Sequence, residues 1–99
     1  MTDLDSFVAT YERHVAAVQA GDMATVLADM DPAVMPEVLA GVTVPRSRVL
    51  SYDVLSTGLE DGVAWGTCRY DTEDGPIGLR STWRWARGSW LAYALENVP

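Results

Sequence analysis

His14 is the single histidine of the chain. Histidine is the residue type best suited to moving protons near neutral pH. It falls three residues after Tyr11 and four before Val18, beside an apolar stripe. Asp53 is a second proton-handling candidate, in a segment whose neighbours Val49 and Leu55 suggest a mixed strand face. Asp31 precedes Pro32 and reads as a turn or capping acid. Trp65, Trp83 and Trp85 offer flat stacking area and an N–H donor for orienting an apolar ligand. Arg69 shares the alternation of Val63, Trp65 and Thr67, and an arginine on that face suits a carboxylate. Cys68 is the only cysteine, which excludes an internal disulfide and a multi-cysteine zinc site. One histidine and one cysteine without paired spacing give no metal site, and no cofactor is expected. There is no Gly-rich phosphate loop, no Gly-x-Ser-x-Gly elbow and no Cys–His pairing signal.

The elements that must position these groups follow from periodicity. Leu4, Phe7, Val8, Tyr11, Val15 and Val18 recur at spacings of three and four, which predicts an amphipathic helix over 4–20. Asp3 and Asp5 suit the positive end of its dipole. Gly21 is placed to end it, and Asp22 to cap a second helix over 22–30 that buries Met23, Val26, Leu27 and Met30. Asp31-Pro32 closes that helix. Val42–Val44 suits a short edge strand, with Gly41 as a bulge. From residue 46 the pattern turns to strand: 48–57, 63–72, 78–86 and 89–98, with turns at 58–62, 73–76 and 87–88. Short links imply hairpins, hence a four-stranded antiparallel meander.

The chain has 99 residues and is 48% hydrophobic, which predicts one globular domain over 1–99. It carries 14 acidic and 7 basic residues, all arginine, for a net charge of −7. That balance argues against non-specific binding to nucleic acid or anionic membrane. Six of the arginines lie beyond residue 41, so the helical part is acidic and the rest is close to balanced. The opening Met1–Asp5 lacks the basic and apolar regions of a signal peptide, and no apolar run has the length of a membrane span. A cytoplasmic location is the expectation. In 89–98, Trp90, Ala92 and Ala94 share one face and Leu91, Tyr93 and Leu95 the other. Both faces are apolar, which predicts a homodimer through the outer sheet face at Leu91, Tyr93 and Leu95.

Phe7-Val8-Ala9-Thr10-Tyr11, leading to Ala20-Gly21-Asp22-Met23-Ala24-Thr25-Val26-Leu27, and the closing Arg84-Trp85-Ala86-Arg87-Gly88-Ser89-Trp90 resemble the nuclear-transport-factor-2-like superfamily, in its SnoaL-like and ketosteroid-isomerase-like branches. The resemblance implies an α+β fold in which N-terminal helices pack on a strongly curved antiparallel sheet, the cystatin-like cone, with a cavity between them. It implies a tyrosine donor at Tyr11, whereas no aspartate matches the family's general base; His14 and Asp53 stand as proton handlers on their own residue types. The segment 31–47 is shorter than such a fold's third helix and first hairpin need. Three functions are expected from this reading. The first is binding of a small apolar molecule, or an accessory role. The second is an isomerase or cyclase acting on a polyketide-, steroid- or terpenoid-like substrate. The third is a purely structural dimerisation domain filled by its own Trp side chains.

Overall fold

Asp3 and Asp5 open the first helix, α1 (Asp3–Ala20), where acidic side chains complement the exposed N–H groups. The computed structural model describes residues 3–99. Met1 and Thr2, the start of the opening read for a signal peptide, lie outside the described residues. Gly21 ends α1 at a φ of 73°, a conformation glycine adopts without steric cost. Asp22 then caps α2 (Met23–Ala28): its carboxylate accepts from the Thr25 N–H at 3.2 Å and from the Thr25 hydroxyl at 2.6 Å.

Helix α2 is six residues long, shorter than the expected 22–30. The chain leaves it to join the sheet. The Ala92 N–H donates to the Asp29 carbonyl at 2.8 Å, and the Asp31 N–H donates to the Ala92 carbonyl at 2.8 Å. Met30 thereby forms a single parallel bridge to Ala92. Tertiary hydrogen bonding has overridden helix propensity here. Beyond it, Pro32, Pro36 and Pro45 forbid a regular helix, and only two single 3-10 turns form, Pro32–Val34 and Glu37–Leu39.

The expected edge strand at 42–44 does not form. The Asn97 side chain holds Thr43 instead, accepting from its N–H at 2.8 Å and donating to its carbonyl at 2.8 Å. One amide thus takes the place of a backbone ladder.

The four strands are β1 (Val49–Glu60), β2 (Val63–Thr72), β3 (Gly75–Ala86) and β4 (Ser89–Val98), in the order β1-β2-β3-β4. All pair antiparallel, as the hairpin spacing predicts. The first two turns, 61–62 and 73–74, are tighter than expected, and the third is Arg87-Gly88 as expected. Asp61-Gly62 and Arg87-Gly88 have positive φ at both positions, the conformation that matches strand twist in two-residue hairpins. Gly58 therefore lies within β1.

The sheet is not strongly curled, and one long helix covers it. This corrects the expectation of several helices on a strongly curved cone. The prolines of 32–45 leave no second long helix to wrap a bent sheet.

One face of the sheet meets α1. Phe7, Tyr11 and Val15, one helical turn apart in succession, are buried against Ala64, Cys68, Trp83, Trp90 and Ala92. Phe7 stacks on Tyr11 at 5.7 Å and meets Trp83 and Trp90 edge-on at 5.7 and 5.5 Å. Small residues at 64, 66 and 92 let the helix lie close to the strands.

A bulge decides the face of β4. Trp83 pairs with Ala92 while Thr82 pairs with Ala94, so Tyr93 has no register partner. An extra residue reverses the in–out alternation beyond it. Leu95 therefore joins Ser81 on the inner face, separated from Leu91 and Tyr93 on the outer one. The three residues expected at one dimer face do not share a face.

Candidate functional site

A cavity of about 400 Å³ lies between α1, α2, the 39–48 segment and the inner face of the sheet. Helix α1 supplies Tyr11, His14 and Val18, and α2 supplies Met23 and Val26. The sheet supplies Val49, Tyr70, Leu79, Ser81 and Leu95. Leu39, Val44, Arg46, Ser47 and Arg48 close the remaining side. The wall is mostly carbon, with a few hydroxyls, one imidazole and two arginines.

His14 lines this cavity with a fixed orientation. Its Nδ1 lies 2.9 Å from Asp29 Oδ2, and the two side chains are only 10% and 8% exposed. An ionised carboxylate only accepts, so the ring nitrogen facing it carries the proton. Nε2 has no hydrogen-bonding protein partner among the described residues. Trp83 packs edge-on against the imidazole at 5.0 Å. Arg13, on the solvent side, donates to Asp29 Oδ1 at 3.0 Å. Asp29 is aimed by the Asp29–Ala92–Asp31 backbone bonds that tie the end of α2 to β4. The result is a carboxylate–imidazole pair in the cavity wall, the arrangement that orients a histidine as acid or base.

Tyr11 and Tyr70 stand beside it. Burial pushes the Tyr11 phenol above the usual tyrosine range, with Cys68 adding to the rise and a hydrogen bond from Ser81 opposing it. Burial raises Tyr70 further, with Cys68 and Tyr11 contributing. Both phenols are therefore neutral hydrogen-bonding groups at physiological pH. The Ser81 hydroxyl also accepts from Trp83 Nε1 at 2.7 Å.

The structure brings Tyr11 and His14 together and separates Asp53 from them. Asp53 is exposed on the outer face, opposite Arg69 in the β1–β2 register. Arg69 is also outside, paired with Asp71 at 3.4 Å and 55% exposed. Trp65 lies on the same face, under the Arg80 guanidinium at 5.8 Å. Trp83 is fully buried beside the cavity and leaves it open. Trp85 is exposed, edge-on to Trp90 at 5.5 Å, and lines a second cavity of about 210 Å³ with Arg13 and Asp29. None of Trp65, Arg69, Trp83 and Trp85 borders the larger cavity.

Asp31 is no part of the cavity wall. It caps the turn that follows, accepting from the Ala33 N–H at 2.9 Å, and it binds the Arg84 guanidinium, with Arg84 Nε at 3.2 Å. These bonds hold its carboxyl below the usual carboxylate range, Arg84 foremost.

The groups that sequence reading did not single out are Asp29, Tyr70, Ser81 and the Arg46-Ser47-Arg48 run. Asp29 carries no local signal, because its role depends on a bridge to a residue 63 positions away. Tyr70 was recoverable from alternation, since Ala64, Cys68 and Tyr70 share the buried face of β2. The arginine run was visible as the place where the acidic helical part gives way to balanced charge.

A solution structure of a SEC-C motif containing protein from Rhodopseudomonas palustris shares this fold. Its TM-score is 0.62 at 21% identity, over 92% of this chain and 77% of that one. At such identity the likeness concerns fold alone. No protein-family model matches the chain, and no curated protein matches it. The resemblance to the nuclear-transport-factor-2-like superfamily, with its SnoaL-like, ketosteroid-isomerase-like and cystatin-like readings, is thereby corrected. The fold is shared with a SEC-C motif containing protein, and the sheet lacks the strong curvature that the resemblance implies. Gly-Asp between helices and Gly-Ser-Trp after a hairpin are local punctuation that more than one α+β fold requires. Among the described residues no cluster of three or more His, Cys, Asp or Glu side chains is placed to hold a metal ion. No helix among them is long and apolar enough to cross a membrane.

Proposed function

We propose that the protein binds a small, mostly apolar molecule in the cavity between α1 and the sheet. The observation that carries this reading is the cavity itself. At about 400 Å³ it falls in the range of ligand pockets, roughly 300–1,000 Å³. Its mostly carbon wall with a few convergent polar groups supports the reading further. Tyr11, Tyr70 and Ser81 orient a ligand by hydrogen bonds without charging it.

The test is titration with a neutral fluorescent probe, N-phenyl-1-naphthylamine. Saturable enhancement is expected for the natural chain. It is lost when Val26→Trp fills the cavity from α2 in a variant whose circular dichroism is unchanged. Absence of saturable binding to the natural chain, for this probe and for neutral alkanols, overturns the proposal.

A second reading is acid–base catalysis on the bound molecule, and the His14–Asp29 pair favours it. In that reading His14 Nε2 exchanges the proton and Asp29 stabilises the imidazolium that forms. Tyr11 donates to the oxygen that gains charge. His14→Ala would abolish turnover of any substrate found while leaving binding within a few-fold. Full turnover in that variant would sink the reading.

A further inference from the structure

We propose that the ligand of this cavity is amphipathic, with one anionic end group held by Arg46, Ser47 and Arg48. The inference rests on the binding reading above and specifies its ligand class.

Four of the seven arginines are already engaged by carboxylates. Arg13 pairs with Asp29, Arg69 with Asp71, Arg80 with Glu96 and Arg84 with Asp31. Arg46 and Arg48 have no ion pair among the described residues, yet both border the cavity. Both are exposed, so they stand where the apolar wall meets solvent. Glu73 accepts from the Arg48 backbone N–H at 3.2 Å and forms no ion pair with its guanidinium. In a chain of net charge −7, two unpaired arginines flanking Ser47 at a cavity mouth form a local positive site against a repulsive background.

Ser47 gives an independent indication. Its Oγ is buried and has no hydrogen-bond partner, the single such side-chain atom among the described residues. A desolvated hydroxyl without a partner is costly, and buried polar groups in folded proteins nearly always have one. Ser47 also borders the cavity. Rotation about the Ser47 Cα–Cβ bond would bring this hydroxyl to an oxyanion placed between the arginines, which would accept from it and from both guanidiniums. The apolar body of the same molecule would then extend toward Val18, Val26 and Leu95.

The shared chemistry is an oxyanion on an apolar body, either carboxylate or phosphate. The experiment displaces N-phenyl-1-naphthylamine with decanoate, decyl phosphate and decanol at neutral pH. At least one of the two anions is expected to bind about tenfold or more tighter than decanol, the scale of a charge-assisted hydrogen bond. The better anion identifies the end group. Arg46→Gln with Arg48→Gln collapses the anion-to-decanol ratio toward one, and Ser47→Ala lowers it several-fold. Arg87→Gln, in the β3–β4 turn outside the cavity wall, leaves the ratio as in the natural chain. If the probe and decanol bind but neither anion is preferred, this inference is overturned and the binding reading survives. If a preference persists in the double arginine variant, the assigned residues are wrong. If nothing binds, both proposals fall.

Discussion

The Tyr11 ring lies on the bare backbone of Gly66, in the space where a side chain at that position would stand. A Cβ there would collide with three carbons of the ring. Tyr11 is fixed in the core by Phe7 and Trp83, at 5.7 and 6.1 Å, so the ring has little room to yield. Gly66→Ala is expected to destabilise the fold by about 1–3 kcal/mol through overpacking. Urea unfolding measures it. A change below about 0.5 kcal/mol would show that α1 slides freely on β2.

Asp29 joins the cavity wall to the edge of the sheet. Asp29→Ala removes the partner of His14 and Arg13 while the backbone bridge to Ala92 stays. The expected cost is about 1–3 kcal/mol, from a buried imidazole left without its acceptor. A double-mutant cycle with His14→Ala isolates the pair. Additive costs would mean that the two side chains do not interact in solution.

Cys68 should be chemically quiet. It is fully buried, and desolvation pushes its thiol up to about 11. The folded thiol holds its proton after the unfolded one has lost it. The stabilisation is thus complete below the unfolded value and disappears as pH rises from about 9 through about 11. Stability should decline over that alkaline window, and Cys68→Ala should flatten the decline. At pH 8 a thiol reagent should modify the native chain no faster than it unfolds. Rapid stoichiometric labelling would contradict the burial.

Acid should act partly through Asp31. Its folded carboxyl is depressed by Arg84 and by the Ala33 N–H. A depressed acid contributes stability above its unfolded value and loses it as pH falls through the folded one. Asp31→Asn removes that share of the acid sensitivity, so its unfolding midpoint should change less between pH 6 and pH 3. An unchanged slope would show that the pair with Arg84 is open in solution.

Periodicity located α1, all four strands and the meander, because these elements are stabilised mainly by contacts local in sequence or by hairpins. The inner face of β3 was legible in part: alternation puts Leu79, Ser81, Trp83 and Trp85 on one face, and the first three turn inward while Trp85 is exposed. The site was legible only at Tyr11 and His14, which stand on the helix with the clearest stripe. Arg69 and Trp65 were read as cavity groups because alternation alone cannot say which face of a two-sided strand meets a helix. Burial of Ala64, Cys68 and Tyr70 decided it.

By itself the amino-acid sequence determined the order of α1 and the four long strands, the Arg87-Gly88 turn and the apolar face of α1, since each depends on residues within a few positions of one another. Tertiary structure alone decided three things. The β4 bulge turned Leu95 into the cavity, the bridge at Ala92 brought Asp29 to His14, and the Thr43–Asn97 and Arg48–Glu73 bonds placed Arg46-Ser47-Arg48 beside the cavity. Each of these depends on pairing between distant segments, whose free energy comes from burial and hydrogen bonding and leaves no period in the sequence.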